Sequence, residues 1–180
     1  LCFGASADLR SASGERALPL EQLWIGPGAT AADPRELLVR VDVPAPAPTT
    51  GSAYVRLEYR RQMEIAVVGV TAVVRLDAGS VSDARVAITA LAPTIRRVSE
   101  AEAALIGSDG GDEAIAEAAR AAASGSSPIT DVRSSAEYRS AMANVIARRA
   151  IVVALARARG EHVPIPASAA TYASVGGTST

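Results

Sequence analysis

The one concentration of charge inside an otherwise apolar, β-forming stretch is Arg56 followed by Arg60-Arg61-Gln62-Met63-Glu64. Guanidinium forks there offer donors to phosphate or carbonyl oxygens. The segment therefore reads either as an exposed hairpin loop or as a site for an anionic or electron-rich ligand. Other chemistry-bearing residues are sparse. His162 is the sole histidine and sits among Pro-rich residues near the end, so a Ser-His-Asp hydrolase would rest on it alone. Cys2 is the sole cysteine; its apolar Leu-Cys-Phe setting suits a buried, inert thiol, and it cannot form an internal disulfide. All 18 basic residues are Arg, so neither a Schiff-base Lys nor a P-loop Lys is available. Arg together with abundant Ala reads as a bias of composition rather than a requirement for Arg.

A chain of 180 residues suits one domain or two small ones with a real core. A net charge of −1 with mixed signs argues against nucleic acid as a partner. No apolar run reaches the roughly 18–20 residues of a transmembrane helix: residues 150–158 are interrupted by Arg157 and preceded by Arg148 and Arg149. Leu-Cys-Phe-Gly-Ala at the start has no charged n-region and no cleavage pattern, and it reads as an interior strand of a fragment that starts mid-domain.

The elements that must position the basic loop follow from local pattern. A strand is predicted over 1–7, with a turn at Ser11, Ser13 and Gly14. A short amphipathic piece at 20–24 leads to the breaker loop Gly26-Pro27-Gly28. Asp33-Pro34 predicts an N-capped helical turn, and 38–43 alternates as a strand with one wet face. The Pro-rich 44–48 is the candidate boundary. Strands over 54–59, 65–76 and 81–91, joined by short turns, predict an antiparallel meander, with Gly69 a point of close backbone approach. Helices follow. Ser99-Glu100-Ala101-Glu102 reads as a capping box, 112–123 as an Ala-rich helix, and Ser134-Ser135-Ala136-Glu137 as the cap of the longest helix, running to about Ala158. Tyr138, Met142, Val145, Ile146, Arg149, Val152 and Val153 are predicted to form its mostly apolar face. Strands followed by helices predict an α+β fold. The Pro-, Ser- and Thr-rich 161–180 is predicted to be a flexible tail.

Two segments, SAYVRLEYRRQMEIAVVGVTA (52–72) and ARVAITALAPTIRRVSEAEAALIG (84–107), resemble the C-terminal half of the FAD-binding medium subunit of molybdenum hydroxylases, the family of xanthine dehydrogenases and aerobic carbon monoxide dehydrogenases. ITDVRSSAEYRSAMANVIARRAI is similar to the family's Asp-x-Arg turn, Tyr-Arg pair and Arg-Arg in the last helix. The resemblance implies that residues 1–50 are the remainder of the second FAD-binding subdomain. It implies that 51–160 are the C-terminal domain, a three-stranded antiparallel sheet packed on a three-helix bundle.

By the same resemblance the chain belongs to an FAD-carrying electron-transfer subunit of a cytoplasmic oxidoreductase. Its partners would be a large subunit with the molybdenum cofactor and a small one with 2Fe-2S clusters. The family's flavin contacts fall on Leu38, Arg56 and Ile65: two apolar walls for the ring and a cation that favours its reduced, anionic form. Glu64 is expected to neutralise Arg60 or Arg61, which leaves Arg56 the free cation. Where the family often carries two acids before the Ile, this chain has Met63-Glu64. The family's two Gly-rich pyrophosphate loops are not in this sequence, since Gly26-Pro27-Gly28 is no GxGxxG, so the fragment alone is expected to bind FAD poorly. The alternative reading is a flavin-free scaffold or subunit-assembly module of the same fold.

Overall fold

The computed structural model describes residues 1–60 and 63–164. Arg61, Gln62 and the greater part of the predicted tail lie outside the described residues. β1 (Ser6–Ser11) and β2 (Gly14–Pro19) form the first hairpin about Ala12 and Ser13. The strand predicted over 1–7 is thus displaced: Gly4 N–H closes a turn onto the Leu1 carbonyl at 2.9 Å, and extended pairing begins only at Ser6. β2 escaped the sequence reading because Leu18 is its only buried residue, which leaves no alternation to see.

A short 3-10 turn (Leu20–Gln22) leads to β3 (Trp24–Gly26) and β4 (Ala29–Thr30), paired across the Gly26-Pro27-Gly28 loop. The N-capped turn predicted at Asp33-Pro34 forms, as a single i to i+3 turn rather than a stretch of helix. Asp33 Oδ1 accepts from Arg35 N–H at 3.0 Å and the Asp33 carbonyl from Glu36 N–H at 2.8 Å. Helix does not propagate because Glu36 is taken by Arg16 and the chain leaves directly into a strand. That strand, β5 (Leu37–Asp42), pairs with β1 to give the order β2-β1-β5. Its predicted single wet face is corrected: all six side chains are exposed. Alternation marks an apolar face but not what covers it.

The larger sheet is the predicted meander, β6 (Thr50–Leu57), β7 (Val68–Asp77) and β8 (Ser80–Thr89), with β6 starting four residues before the predicted 54–59 and β7 three residues after the predicted start at 65. A two-residue strand, β9 (Arg96–Arg97), extends it to four strands in the order β6-β7-β8-β9. Two Arg residues carry no strand signal, so only pairing with Ala87 and Ile88 reveals it. On β6 Gly51, Ala53 and Val55 are buried toward the helices, while Ser52, Tyr54 and Arg56 alternate onto the other face.

Of α1 (Ser99–Leu105), α2 (Asp112–Ser124) and α3 (Ala136–Ala158), α3 lies on β6 and β7 and α1 on β8, covering one face of this sheet, and α2 packs on α1 and α3. One core of Val, Ile, Leu and Ala joins the layers. A Cβ on Gly51 would overlap the Ala154 carbonyl and the Ala158 nitrogen, so β6 and α3 meet backbone to backbone there. Gly69 is a close approach too, but against the side-chain ends of Thr89 and Tyr54.

Two helix readings are corrected. Ser99 does not cap α1: it is the first helical residue, after Val98. Glu102 is instead buried, accepting from Val86 N–H at 3.0 Å and from Arg97 Nη2 at 2.6 Å, partners that outcompete a return to the helix start. The buried face of α3 comprises Arg139, Ala143, Ile146, Ala147, Ala150, Ile151, Val153, Ala154, Leu155 and Ala158. Of the predicted face only Ile146 and Val153 are buried, and Tyr138, Val145 and Val152 are exposed. The sheet selects small side chains because β6 packs so closely. Ser135 caps α3 as predicted, its hydroxyl accepting from Tyr138 N–H at 3.1 Å.

Candidate functional site

The basic loop is the connection between β6 and β7. Val67 N–H donates to the Leu57 carbonyl at 2.9 Å and closes its neck. Arg60 Nε lies 3.1 Å from Glu64 Oε2, the pairing expected for Glu64. Arg56 Nε lies 2.5 Å from Glu58 Oε2, so Arg56 is not the free cation that the sequence suggests. Each of these two arginines answers a carboxylate, and the loop's described part is less electropositive than its composition. Arg56 stands beside Tyr54 on the sheet face away from the helices. Burial pushes the Tyr54 phenol above its ordinary range, and the Arg56 charge opposes the shift.

The far side of this loop meets the α2–α3 connection. Tyr59 OH donates to the Arg133 carbonyl. Asp131 Oδ1 accepts from Arg133 N–H at 2.8 Å and Arg139 Nη2 at 2.6 Å; Oδ2 accepts from Arg133 Nη1 at 2.6 Å. The Arg133 backbone N–H, and after it the Arg139 side chain, hold the Asp131 carboxyl below its ordinary range. Arg139 is 3% exposed, and its Nη1 donates to the carbonyls of Val67 and Ala90, each at 3.1 Å. Its Nε is buried without a hydrogen-bond partner. Ile65, Pro27, Pro93 and Ile129 form the apolar walls of an open cleft of about 360 Å³ here, with Arg133 and Arg139 at its edge.

The structure places the three residues implied by resemblance as follows. Arg56 on β6 and Ile65, 61% exposed, stand on opposite arms of one connection. Leu38, 52% exposed, lies on β5 in the other sheet, opposite Leu9 across a β-bulge that leaves Val39 without a partner on β1. Arg56 at the end of β6 and Ile65 in the β6–β7 connection lie at one end of the same hairpin; nothing in the described contacts joins Leu38 to them. Sequence reasoning assigned no role to Tyr59, Asp131 or Arg139. The Asp-x-Arg turn and the Tyr-Arg pair were the signal, but a buried Arg reads as a surface residue until the fold is seen. Among the described residues no group of His, Cys, Asp and Glu is arranged to hold a metal, and no helix is long and apolar enough to cross a membrane.

A profile of the family described as CO dehydrogenase flavoprotein C-terminal domain matches residues 53–154. The carbon monoxide dehydrogenase medium chain of Hydrogenophaga pseudoflava is 35% identical over 149 residues, covering 83% of this chain and 52% of that one. The 6-hydroxypseudooxynicotine dehydrogenase complex subunit alpha of Paenarthrobacter nicotinovorans is 35% identical over 160 residues, 88% of this chain and 54% of that one. A solved carbon monoxide dehydrogenase of Hydrogenophaga pseudoflava, described as lacking the Mo-pyranopterin moiety of the molybdenum cofactor, superposes with a TM-score of 0.83 at 37% identity. It covers 87% of this chain and 54% of that chain. The chain spans about half the length of the curated relatives it matches.

Proposed function

This chain belongs to the family of CO dehydrogenase flavoprotein C-terminal domains, and from that premise we propose that it is part of the FAD-carrying electron-transfer subunit of a molybdenum-dependent hydroxylase or dehydrogenase. What supports the reading is that Leu38 and Ile65, the two residues that the resemblance implies as apolar walls for the ring, are both uncovered aliphatic side chains. Such walls suit an isoalloxazine, and Arg56, tempered by Glu58, supplies a moderated positive field. The phosphate half of FAD fits less well. Each described helix opens on acids: Glu100 and Glu102, Asp112 and Glu113, and Glu137. Those carboxylates repel a pyrophosphate, so none of these N-termini is its cradle.

When bound, FAD would supply one- and two-electron chemistry between iron–sulfur clusters and an external acceptor. The residues of this chain would hold the ring edge, exclude water from it with Leu38 and Ile65, and bias its charge through Arg56. We place residues 1–50 in the remainder of the second FAD-binding subdomain and assign the complex to the cytoplasm. Its partners would be a molybdopterin-binding large subunit and an iron–sulfur small subunit. Co-expression of the whole operon, followed by size exclusion and a visible absorption spectrum, tests this. A hetero-oligomer that releases FAD on denaturation is expected; a subunit eluting alone and without flavin overturns the reading in favour of a flavin-free assembly module.

A further inference from the structure

We propose that the Asp131–Arg139 pair, latched through Tyr59, is a positioning device that fixes residues 65–67 at the cleft and so sets where Ile65 stands; its link to the flavin rests on the function proposed above. Pairing of β7 with β8 runs only as far as Gly69 and Thr89. Just beyond these residues the Arg139 guanidinium bridges the two strands, taking the carbonyls of Val67 and Ala90 at 3.1 Å each. One α3 side chain thus replaces the missing rung. Ala90 is held at φ 61, a left-handed conformation that a residue with a Cβ adopts only where its surroundings over-determine it.

The carboxylate that orients Arg139 is itself fixed. Asp131 accepts from two backbone N–H groups, Arg133 and Ser134, and from the Arg133 side chain. The Arg133 carbonyl then receives Tyr59 OH, which ties in the other arm of the β6–β7 connection. Both arms of the segment bearing Ile65 are therefore anchored to one network: one by Arg139 at Val67, the other by Tyr59. An ion pair with one partner buried, as here, is a poor way to gain stability compared with apolar packing, because desolvation offsets its attraction. Geometry is what it supplies here: a guanidinium fork with fixed angles at the edge of the cleft that Ile65 lines.

The test uses the complete flavin-bearing protein, comparing wild type with Asp131→Asn, Tyr59→Phe and Arg139→Lys by amide hydrogen exchange and by flavin circular dichroism. Asp131→Asn and Arg139→Lys are expected to speed exchange over 63–68 and 90–93 tenfold or more, leave α2 and the β1–β2 hairpin within twofold, and change the flavin band. Tyr59→Phe, at an exposed position, should do the same to a smaller degree with an unchanged unfolding midpoint, and it keeps the test open if Asp131→Asn does not fold. Faster exchange spread evenly over the chain, or none at 63–68, overturns the positioning role. Local loosening with an unaltered flavin band overturns its connection to the ring. A full-length protein that carries no flavin defeats the proposed function instead, and the exchange measurement still judges the device.

Discussion

Arg139 and Asp131 lie eight residues apart and meet at 2.6 Å between Nη2 and Oδ1, with the Arg side chain only 4% exposed. Through them the first half of α3 reaches two strand ends and the α2–α3 connection at once. Replacing Arg139 by Met keeps much of the volume and strands two carbonyls at the end of the sheet. Loss of these charge-assisted hydrogen bonds should cost about 2–3 kcal/mol, read as a lower urea midpoint at unchanged slope.

Gly51→Ala should be among the most damaging single methyl additions. The new Cβ meets backbone atoms of Ala154 and Ala158, which cannot rotate away. Overpacking of this kind costs about 1–3 kcal/mol or more. Gly69→Ala meets only the ends of Thr89 and Tyr54 and should cost less. Thermal unfolding of the two variants side by side checks the order.

Acid should loosen the 33–36 turn at an unusually low pH. Hydrogen bonds from Arg16, and then from the Asp33 backbone N–H, pull Glu36 down to about 2. A carboxylate depressed on folding stabilises above its unfolded value and loses that contribution as pH falls toward the folded one. The loss therefore spans the interval from the ordinary value of 4.5 to about 2. Arg16→Gln should return the Glu36 titration toward its ordinary range, visible as a carboxyl carbon shift in an NMR titration. Asp131, depressed in the same sense, should likewise release only below the ordinary carboxylate range.

If the flavin lies where the family places it, Glu58 sets how strongly Arg56 is felt. Glu58→Gln removes the carboxylate 2.5 Å from Arg56 Nε and should raise the flavin midpoint potential by unmasking the cation. Arg56→Glu should lower it. The ceiling is about 3 kcal/mol per unit of charge roughly 6 Å away at an effective dielectric near 20, and Arg56→Glu changes two units. Equal potentials in wild type and both variants, with FAD retained, would show that this pair does not face the ring.

Much of the architecture was legible without coordinates. Alternation over 54–59 marked β6, a β-branched run marked β7, the turn at 77–80 separated it from β8, and Ser135 marked the start of α3. These signals are local, carried by backbone preference and capping. The α3 face was misread because Ala supplies little hydrophobic contrast: Ala143, Ala147, Ala150, Ala154 and Ala158 are buried on a helix that is Ala-rich all round. Small residues were selected by the close approach of β6, and a distant strand leaves no periodic trace in the helix. Glu102, which reads as a cap, and Arg139, which reads as surface, were assigned by partners as far away as Val86 and Val67. Sequence by itself determined that a three-stranded meander precedes three helices and that the basic loop joins its first two strands. Only the tertiary structure decided which charges meet, because burial and pairing depend on contacts across the fold that no local pattern encodes.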